Sequence, residues 1–227
     1  MSLGTVLVTG GASGLGAAVS DAVRAAGGRP VILDRAKRDT DIEQEVVDLA
    51  DARATEETVR AVSARVGGID AVVTCGGTDA CGRLEDVPAE VWDDVVKVNL
   101  LGTVAVVRAA LPDLTSRRGR VVTVASTLGL RAVSDATAYC ASKFGVVGFT
   151  RALAAETQGR VGVTMLVPGG MHTAFFDGRD EQYKPPPDAK LNKPEDVART
   201  VLFALGQPPG CEVRELVVTP AVEGSWP

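Results

Sequence analysis

The chain has 227 residues, of which 45% are hydrophobic, and it carries a formal net charge of −5 with a sequence pI near 5.0. This length suffices for one well-filled α/β domain and is short for two, so we expect a single domain over residues 1–227. The acidic balance argues against nucleic acid or an anionic membrane as the main partner, because both bind basic surfaces. A small molecule is the favoured partner.

The sequence also bears on compartment and metals. The first strand-like run begins by Thr5, which leaves no room for a signal peptide, and no apolar run approaches the ~20 residues of a membrane span. We therefore expect a cytoplasmic protein. With one histidine and no close CxxC spacing, a zinc site is difficult to build, so we expect no metal and four free thiols. The thiols are Cys75, Cys81, Cys140 and Cys211.

A glycine-rich loop forms the first motif. It joins a predicted strand, Thr5–Thr9, to a predicted helix, Ala17–Ala26, and contains Gly10, Ser13, Gly14 and Gly16. The glycines let the backbone approach a pyrophosphate, which would face the N–H groups and positive dipole end of the helix. Ser13 adds a hydroxyl donor. The loop lacks the lysine of an ATP-binding P-loop, and the alternative is a glycine-rich turn without a ligand.

A second predicted strand, Pro30–Leu33, ends in Asp34. An acidic residue about 20 residues beyond the loop accepts hydrogen bonds from the adenosine ribose hydroxyls and repels a 2′-phosphate. This placement favours NAD over NADP. Arg35, Lys37 and Arg38 form a basic cluster beside it, which either attracts a 2′-phosphate or is a solvated loop.

The third predicted strand is Gln44–Val47. Asp48 and Leu49 follow it, in a position to border an adenine ring. Asp51 is the expected N-cap of a helix that extends to Arg65.

A fourth predicted strand, Ile69–Thr74, is followed by Cys75-Gly76-Gly77. The two glycines indicate that the backbone here passes close to another part of the chain or to a ligand. Pro88 then starts a helical stretch that runs to Leu111. Within it, Asn99 lies in an apolar setting, and its amide needs hydrogen-bond partners.

The fifth predicted strand, Gly119–Ala125, delivers Ser126 at its carboxyl end, where open α/β sheets bind ligands. A predicted helix over Asp135–Glu156 places Tyr139 and Lys143, four residues apart, on one face. These three side chains are the predicted reaction centre.

The expected chemistry depends on the tyrosine. Its pKa is ordinarily near ~10, but a cation about 4 Å away favours the phenolate by about 4 kcal/mol at an effective dielectric of roughly 20, which lowers the pKa by about three. Tyr139 would then exchange a proton with substrate while Ser126 holds the substrate oxygen. The alternative is an ordinary surface pair, since Tyr-x-x-x-Lys also arises by chance.

The last part of the chain alternates between regular and irregular segments. Thr173–Lys193 lacks periodicity and is predicted to be a functional loop or lid. The remaining predicted elements are a strand at Val161–Val167 followed by Pro168-Gly169-Gly170, a helix at Pro194–Leu205, a strand at Glu215–Thr219 and the tail Ala221–Pro227. The alternation of strands and helices predicts a doubly wound parallel sheet.

Taken in order, the motifs resemble those of the short-chain dehydrogenase/reductase family over nearly the whole chain. Thr9-Gly10-x-x-x-Gly14-x-Gly16 is similar to the cofactor loop of that family, and Pro168-Gly169 with Thr173 is similar to its nicotinamide-side motif. The residues at the spacing of its catalytic tetrad are Asn99, Ser126, Tyr139 and Lys143.

The resemblance implies hydride transfer between a nicotinamide and a substrate carbon that bears oxygen. Tyr139 would be the acid/base, Ser126 would orient the substrate, Lys143 would bind the nicotinamide ribose and lower the tyrosine pKa, and Asn99 would hold a water. It also implies a homotetramer or homodimer. Together with the loop residues, the predicted cofactor contacts are Gly10, Ser13, Gly14, Leu15, Gly16, Asp34, Arg35, Asp48, Leu49, Gly76, Tyr139, Lys143, Pro168, Gly169, Met171 and Thr173.

The chain departs from the family pattern in two places. Thr74-Cys75-Gly76-Gly77 stands where the family usually has Asn-Asn-Ala-Gly, and the substrate-covering region after Thr173 is short. His172 is interpreted as a loop residue and Arg131 as solvated. The rival function is a redox-inactive dinucleotide sensor, which would not need the tetrad. An epimerase or dehydratase would bring a longer C-terminal substrate domain.

Overall fold

The computed structural model describes residues 3–226, so Met1, Ser2 and Pro227 of the expected domain and tail lie outside the described residues. Seven parallel strands form one sheet in the order β3-β2-β1-β4-β5-β6-β7. The strands are β1 Thr5–Thr9, β2 Arg29–Asp34, β3 Glu43–Val46, β4 Ala71–Thr74, β5 Arg120–Val124, β6 Gly162–Pro168 and β7 Glu215–Val218. The order reverses between β1 and β4, and the predicted doubly wound sheet is confirmed.

Helices cover both faces of the sheet. They are α1 Gly14–Ala25, α2 Ala52–Val66, α3 Ala89–Val96, α4 Thr103–Arg117, α5 Thr137–Glu156 and α6 Pro194–Leu205. Val59 of α2, Val106 of α4 and Leu153 of α5 belong to the buried cluster on one face. Val19 of α1 and Val201 of α6 belong to the cluster on the other. Because both faces are covered, the central strands such as β1 and β4 are largely apolar and buried.

The strand order brings the functional loops to one edge of the sheet. The last residues of β1 and β4, Thr9 and Thr74, are direct partners. The loop after β4 contacts the end of β1 directly, since the N–H of Gly76 donates to Thr9 Oγ1 at 3.0 Å. Ser126 follows β5, the next strand along, so all three loops border the same crevice.

Three helix boundaries differ from the sequence prediction by more than one residue. Helix α1 begins at Gly14 and not at the predicted Ala17. The helix expected from Asp135 begins at Thr137, because Asp135 has a φ of 58°, outside the range of a right-handed helix. The helix expected to end at Leu111 continues to Arg117, and it comprises α3, the π-helical segment Lys97–Gly102 and α4.

The segment 173–193 contains two 3₁₀ turns, Ala174–Phe176 and Glu181–Tyr183, within the predicted irregular stretch. Its base is closed by pairing between Met171 and Asn192. The N–H of His172 also donates to the carbonyl of Asn192 at 2.9 Å. The segment therefore leaves and re-enters the fold at one place.

The helical stretch Ala89–Arg117 is long and apolar enough, by length and composition alone, to cross a membrane, and 44% of its apolar window is buried. The expectation that no segment approaches this length is therefore wrong. In the fold, α4 packs on α2 and on the sheet, and Val106 and Leu114 are fully buried there. Some of the apolar side chains of this stretch thus contribute to the core, while Leu101 is exposed.

Candidate active site

A cavity of about 1460 Å³ opens at the carboxyl ends of the strands. We call the part formed by the loops after β1, β2 and β3 the glycine-loop half. We call the part formed by residues 78–88, 175–191 and 222–225 the aromatic half. Every residue predicted to contact a cofactor lines this cavity, as does Ser126. Tyr139 and Lys143 lie where the two halves meet.

Backbone contacts shape the glycine loop. Gly10 has a φ of 66°, and a Cβ there would lie 2.7 Å from the Cα of Gly76. A Cβ at Gly16 would collide with the carbonyl oxygen of Gly10. The hydroxyl of Ser13 makes no capping hydrogen bond to α1 and is exposed. The first turn of α1 therefore borders the cavity with its N–H groups, an arrangement suited to a phosphate.

Asp34 is fixed against this loop at the end of β2. Its Oδ2 accepts a hydrogen bond from the N–H of Ala12 at 3.0 Å, and its Oδ1 accepts from the N–H of Ala36 at 3.0 Å. A carboxylate has about four acceptor sites, so these two bonds leave capacity for hydroxyl donors. Asp34 is therefore held in a position from which it could bind a ribose.

Of the three basic residues that follow Asp34, one is engaged elsewhere. Arg38 Nη2 contacts both carboxylate oxygens of Asp21, at 2.8 and 3.0 Å, and Nη1 donates to the carbonyl of Ala17 at 3.3 Å. Arg35 is exposed at the cavity wall, and Lys37 is exposed as well. The predicted basic cluster is thus smaller than its sequence indicates.

Leu49 forms an apolar wall of the glycine-loop half. It is 8% exposed and packs against Gly76, where a Cβ would collide with its side chain. Asp48 is exposed, and its carboxylate accepts from the N–H of Ala50 at 2.9 Å. Asp51 caps α2 as predicted.

The loop after β6 closes the glycine-loop half from the opposite side. Pro168 ends β6, and the N–H of Gly169 donates to the carbonyl of Val218 at 3.0 Å. Thr173 lies beside Gly14, since a Cβ at that glycine would be 3.3 Å from the threonine methyl. With Met171, these residues bring the predicted nicotinamide-side motif next to the glycine loop.

Ser126, Tyr139 and Lys143 are brought together as predicted. Lys143 Nζ lies 5.6 Å from the centroid of the Tyr139 ring and donates to the carbonyl of Val124 at 2.9 Å. The Ser126 hydroxyl accepts from the N–H of Leu128 at 3.1 Å and is hydrogen-bonded to Tyr139. Both α5 side chains therefore point to the carboxyl end of β5.

The ionisation of this pair differs from the expectation. Burial raises the pKa of Tyr139 to about 12, and the hydrogen bond with Ser126 offsets this only in part. Burial also lowers the pKa of Lys143 to about 8. The predicted lowering of the tyrosine pKa is wrong for this arrangement, because burial is the largest influence on that pKa and the lysine amine donates to Val124. At neutral pH the phenol holds its proton.

Asn99 has the hydrogen-bond partners that its buried setting requires. Its Oδ1 accepts from the N–H of Thr78 at 2.8 Å, and its Nδ2 donates to the carbonyl of Thr78 at 2.9 Å and to Ser142 Oγ at 3.0 Å. Its own carbonyl accepts from Thr103 Oγ1 at 2.9 Å. The side chain thus clamps the loop after β4 to α5. Its predicted role in holding a water stays a prediction.

The unusual sequence after β4 has a structural consequence. The N–H of Gly76 bonds to Thr9, and the loop beyond it is held by Asn99, so the backbone is secured at two points. Thr74 Oγ1, however, is buried without a hydrogen-bond partner in residues 3–226. Burial raises the pKa of the neighbouring Cys75 thiol to about 12, so this thiol stays protonated.

The aromatic half contains contacts that the sequence did not reveal. The Phe175 ring lies 5.7 Å from the Tyr139 ring, between centroids. Arg179 of the same segment pairs with Asp79 at 2.6 Å. The two paired residues are 100 positions apart, so spacing in the sequence carries no signal for them.

The C-terminal tail is a second wall that the sequence did not predict. Glu223 accepts hydrogen bonds from the N–H of Gly170 at 3.1 Å and from Ser225 Oγ at 2.7 Å. The Ser225 hydroxyl also contacts Thr127 Oγ1 at 2.7 Å. Arg131, predicted to be solvated, is exposed and donates to a tail carbonyl at 3.1 Å. The tail is thus anchored beside Ser126.

His172, potential metal ligands and the cysteines are the remaining candidate site residues. His172 is exposed and bonds Asn192 through its backbone, as expected of a loop residue. Over residues 3–226, no group of three or more histidine, cysteine, aspartate or glutamate side chains is arranged to hold a metal ion. The four cysteines are free thiols.

Comparison with known proteins decides the family. The profile described as short chain dehydrogenase matches residues 4–184. The chain belongs to the short-chain dehydrogenase/reductase family. It is 30% identical over 226 residues to an uncharacterized oxidoreductase of Staphylococcus aureus, covering 94% of this chain and 96% of that protein. It is 34% identical over 192 residues to D-beta-hydroxybutyrate dehydrogenase of Cupriavidus necator, covering 78% and 74%.

Two solved structures share the fold. The alcohol dehydrogenase of the archaeon Thermococcus sibiricus, complexed with 5-hydroxy-NADP, superposes with a TM-score of 0.83 at 24% identity, covering 94% of this chain and 95% of that one. Thermoplasma acidophilum aldohexose dehydrogenase gives 0.84 at 20% identity, covering 95% and 92%. The Rossmann-type sheet of this short-chain dehydrogenase/reductase is therefore the fold of known dehydrogenases.

Proposed function

We propose that this oxidoreductase interconverts a secondary alcohol and a carbonyl by hydride transfer, with NAD as its cofactor. The observation that carries the proposal is the meeting of Ser126, Tyr139 and Lys143 in one cavity with a glycine loop. A redox-inactive sensor would need the loop but not this constellation.

The chain's own residues supply proton transfer and orientation. The nicotinamide, when bound, accepts or supplies the hydride at the substrate carbon. Ser126 holds the substrate oxygen, and Tyr139 donates a proton to it during carbonyl reduction or removes one during alcohol oxidation. Because the pKa of Tyr139 is about 12, the phenol is ready to donate at neutral pH. Alcohol oxidation needs the phenolate and is expected to speed up as pH rises.

The glycine-loop half fits a dinucleotide. Side chains are excluded at Gly10 and Gly16 by close backbone contacts, which leaves the loop backbone open toward a pyrophosphate. NAD is the proposed form, because Asp34 is fixed at the end of β2 while Arg38 is occupied by Asp21. Arg35 remains the residue that would favour NADP.

We consider two substrate classes for this enzyme. The relationship to D-beta-hydroxybutyrate dehydrogenase makes a hydroxy acid one candidate. Uncharged alcohols are the other. We also propose that the segment 173–193 covers the substrate, since Phe175 already lies against Tyr139.

A spectrophotometric screen tests the proposal. The purified protein is incubated with NAD and a panel of secondary alcohols, and the absorbance of reduced nicotinamide is followed. We expect turnover of at least one alcohol, and a rate at least about 10²-fold lower with Tyr139→Phe. Binding of NAD without any turnover across a broad panel would instead favour the sensor.

We further propose a cytoplasmic homo-oligomer, a dimer or tetramer. Leu101 and Phe144, on contacting helical segments, are 47% and 44% exposed, and Phe203 of α6 is 57% exposed. Contiguous exposed apolar patches mark protein–protein contacts, and Leu101 and Phe144 are candidates for one. Light scattering would test the assembly, and a monomer at micromolar concentration would contradict it. Free thiols suit a reducing compartment, and cell fractionation would test the location.

A further inference from the structure

An ion pair between two separate loops lies in the aromatic half of the cavity. Arg179 Nη2 is 2.6 Å from Asp79 Oδ2, and the two side chains are only 18% and 7% exposed. Asp79 follows Thr78, which Asn99 clamps on both its N–H and its carbonyl. The other oxygen of Asp79 accepts from the N–H of Ala80 at 2.7 Å. The carboxylate therefore has a fixed position.

The guanidinium of Arg179 is held by a carboxylate, a backbone carbonyl and two aromatic rings. While Nη2 bonds Asp79, Nη1 donates to the carbonyl of Tyr183 at 3.3 Å. Nε is buried without a hydrogen-bond partner in the described part of the chain. The group lies over the rings of Phe175 and Phe176, whose centroids are 5.1 and 4.6 Å from Cζ, a cation–π arrangement. Because Asp79 occupies Nη2, the edge formed by Nε and Nη2 is not free to bind an incoming carboxylate through two parallel hydrogen bonds.

The pair borders the reaction centre. The ring of Phe175, which carries the guanidinium on one side, is 5.7 Å from the Tyr139 ring. Asp79 raises the pKa of Tyr139 and Arg179 lowers it, so both charges act on the phenol. A substrate that reaches Tyr139 therefore meets a positive charge that is already neutralised.

The other charges of this half are mainly negative. Asp86, Asp180, Asp188 and Glu223 line it, with Lys190 opposing them. A cleft lined by one sign of charge repels ligands of that sign. An arginine at this place would ordinarily anchor a carboxylate through two parallel hydrogen bonds, but displacing Asp79 would leave a buried carboxylate without its partner.

We propose that the Asp79–Arg179 pair makes the enzyme select uncharged alcohols and their ketones and reject hydroxy acids. This inference rests on the proposed dehydrogenase function and chooses between its two substrate classes. Asp79 is the determinant, because it occupies Nη2, one of the two donors that a substrate carboxylate would need for two parallel hydrogen bonds.

A pair of compounds that differ only in charge tests the proposal. Racemic 3-hydroxybutyrate and 3-hydroxybutyramide have the same carbon skeleton and the same reacting alcohol. With NAD, we expect the wild-type kcat/KM for the amide to exceed that for the acid at least tenfold. An acid used as well as the amide would overturn the proposal.

Variants locate the effect in the ion pair. Asp79→Asn frees Arg179, and the acid should gain at least tenfold relative to the amide. The double variant D79N/R179Q should lose this gain. Asp93→Asn, an exposed change on α3 outside the cavity lining, should leave the ratio within twofold. Because the ratio is taken within each variant, an effect of Asp79 on Tyr139 cancels.

The test separates this inference from the proposed function. Calorimetric titration of both compounds into the wild-type protein–NADH complex, which has no hydride acceptor, compares their affinities without turnover and without a variant that has to fold. Tighter binding of the amide supports the charge selection, even if no alcohol is oxidised. The absence of oxidation would contradict only the proposed dehydrogenase function. An unchanged ratio in folded Asp79→Asn would remove Asp79 as the determinant.

Discussion

In the glycine-loop half of the cavity, backbone contacts between neighbouring loops set the geometry, whereas in the aromatic half the contacts run between side chains far apart in the chain. Gly10 and Gly16 leave no room for side chains. Arg179 and Asp79, in contrast, are 100 positions apart, and Ser225 and Thr127 are 98 apart. The first half suits a cofactor common to many enzymes, and the second suits a substrate particular to this one.

The largest expected effect lies where the halves meet. Tyr139→Phe should lower kcat by about 10²- to 10⁴-fold, the usual contribution of general acid–base catalysis, while NAD affinity stays within a few-fold. Steady-state kinetics and fluorescence titration measure the two quantities. The other tyrosine of the chain, Tyr183, donates to Asp135 at 3.3 Å, and Tyr183→Phe is the matched control. Equal losses in both variants would remove the special role of Tyr139.

Damage confined to the glycine-loop half should follow from Gly16→Ala. The added Cβ meets the carbonyl oxygen of Gly10, and overpacking of this kind costs about 1–3 kcal/mol, so NAD affinity should fall roughly 5- to 100-fold. Calorimetric titration with NAD measures it. Gly148→Ala is the control, because nothing lies within 4 Å of a Cβ there. It should keep NAD affinity and gain about 1 kcal/mol of helix stability. Unchanged affinity in both variants would contradict the assigned loop.

The contrast explains what could be predicted from the sequence. Strands, helices and the glycine loop depend on local sequence patterns. Asn99 could be identified because it is a polar side chain in an apolar run. The pKa of Tyr139 could not be predicted, because it depends mainly on burial, which is set by tertiary packing. The left-handed backbone of Asp135 also had no local signal.

Cofactor choice should depend on one residue of the glycine-loop half. Asp34→Ala removes the carboxylate that would repel a 2′-phosphate, while Arg35 stays at the wall. We expect the ratio of kcat/KM for NADP to that for NAD to rise about tenfold, equivalent to about 1.4 kcal/mol. The ratio for 3-hydroxybutyramide over 3-hydroxybutyrate should not change. If cofactor preference stays as it was, another residue sets it.

A smaller effect, confined to the substrate side, is expected from Ser225→Ala. The change removes hydrogen bonds to Thr127 and Glu223 at 2.7 Å each, with a net loss of about 1 kcal/mol. KM for the alcohol should rise about fivefold without a change in NAD affinity. Ser116→Ala, at an exposed site on α4, should change neither. A loss of NAD affinity in Ser225→Ala would show that the two halves are coupled through the tail.

The smallest effect concerns the ends of β4 and β5, where Thr74 and Thr123 are direct partners in the sheet. Thr74 Oγ1 is buried without a partner in residues 3–226, whereas Thr123 Oγ1 bonds Thr150 Oγ1 at 2.7 Å. Thr74→Val removes an unsatisfied hydroxyl at nearly constant shape and should stabilise the fold by about 1 kcal/mol, a rise in Tm of about 2–4 °C. Thr123→Val should destabilise it by a similar amount. Thermal unfolding followed by circular dichroism compares them, and a loss of stability in Thr74→Val would mean that its hydroxyl has a partner in solution.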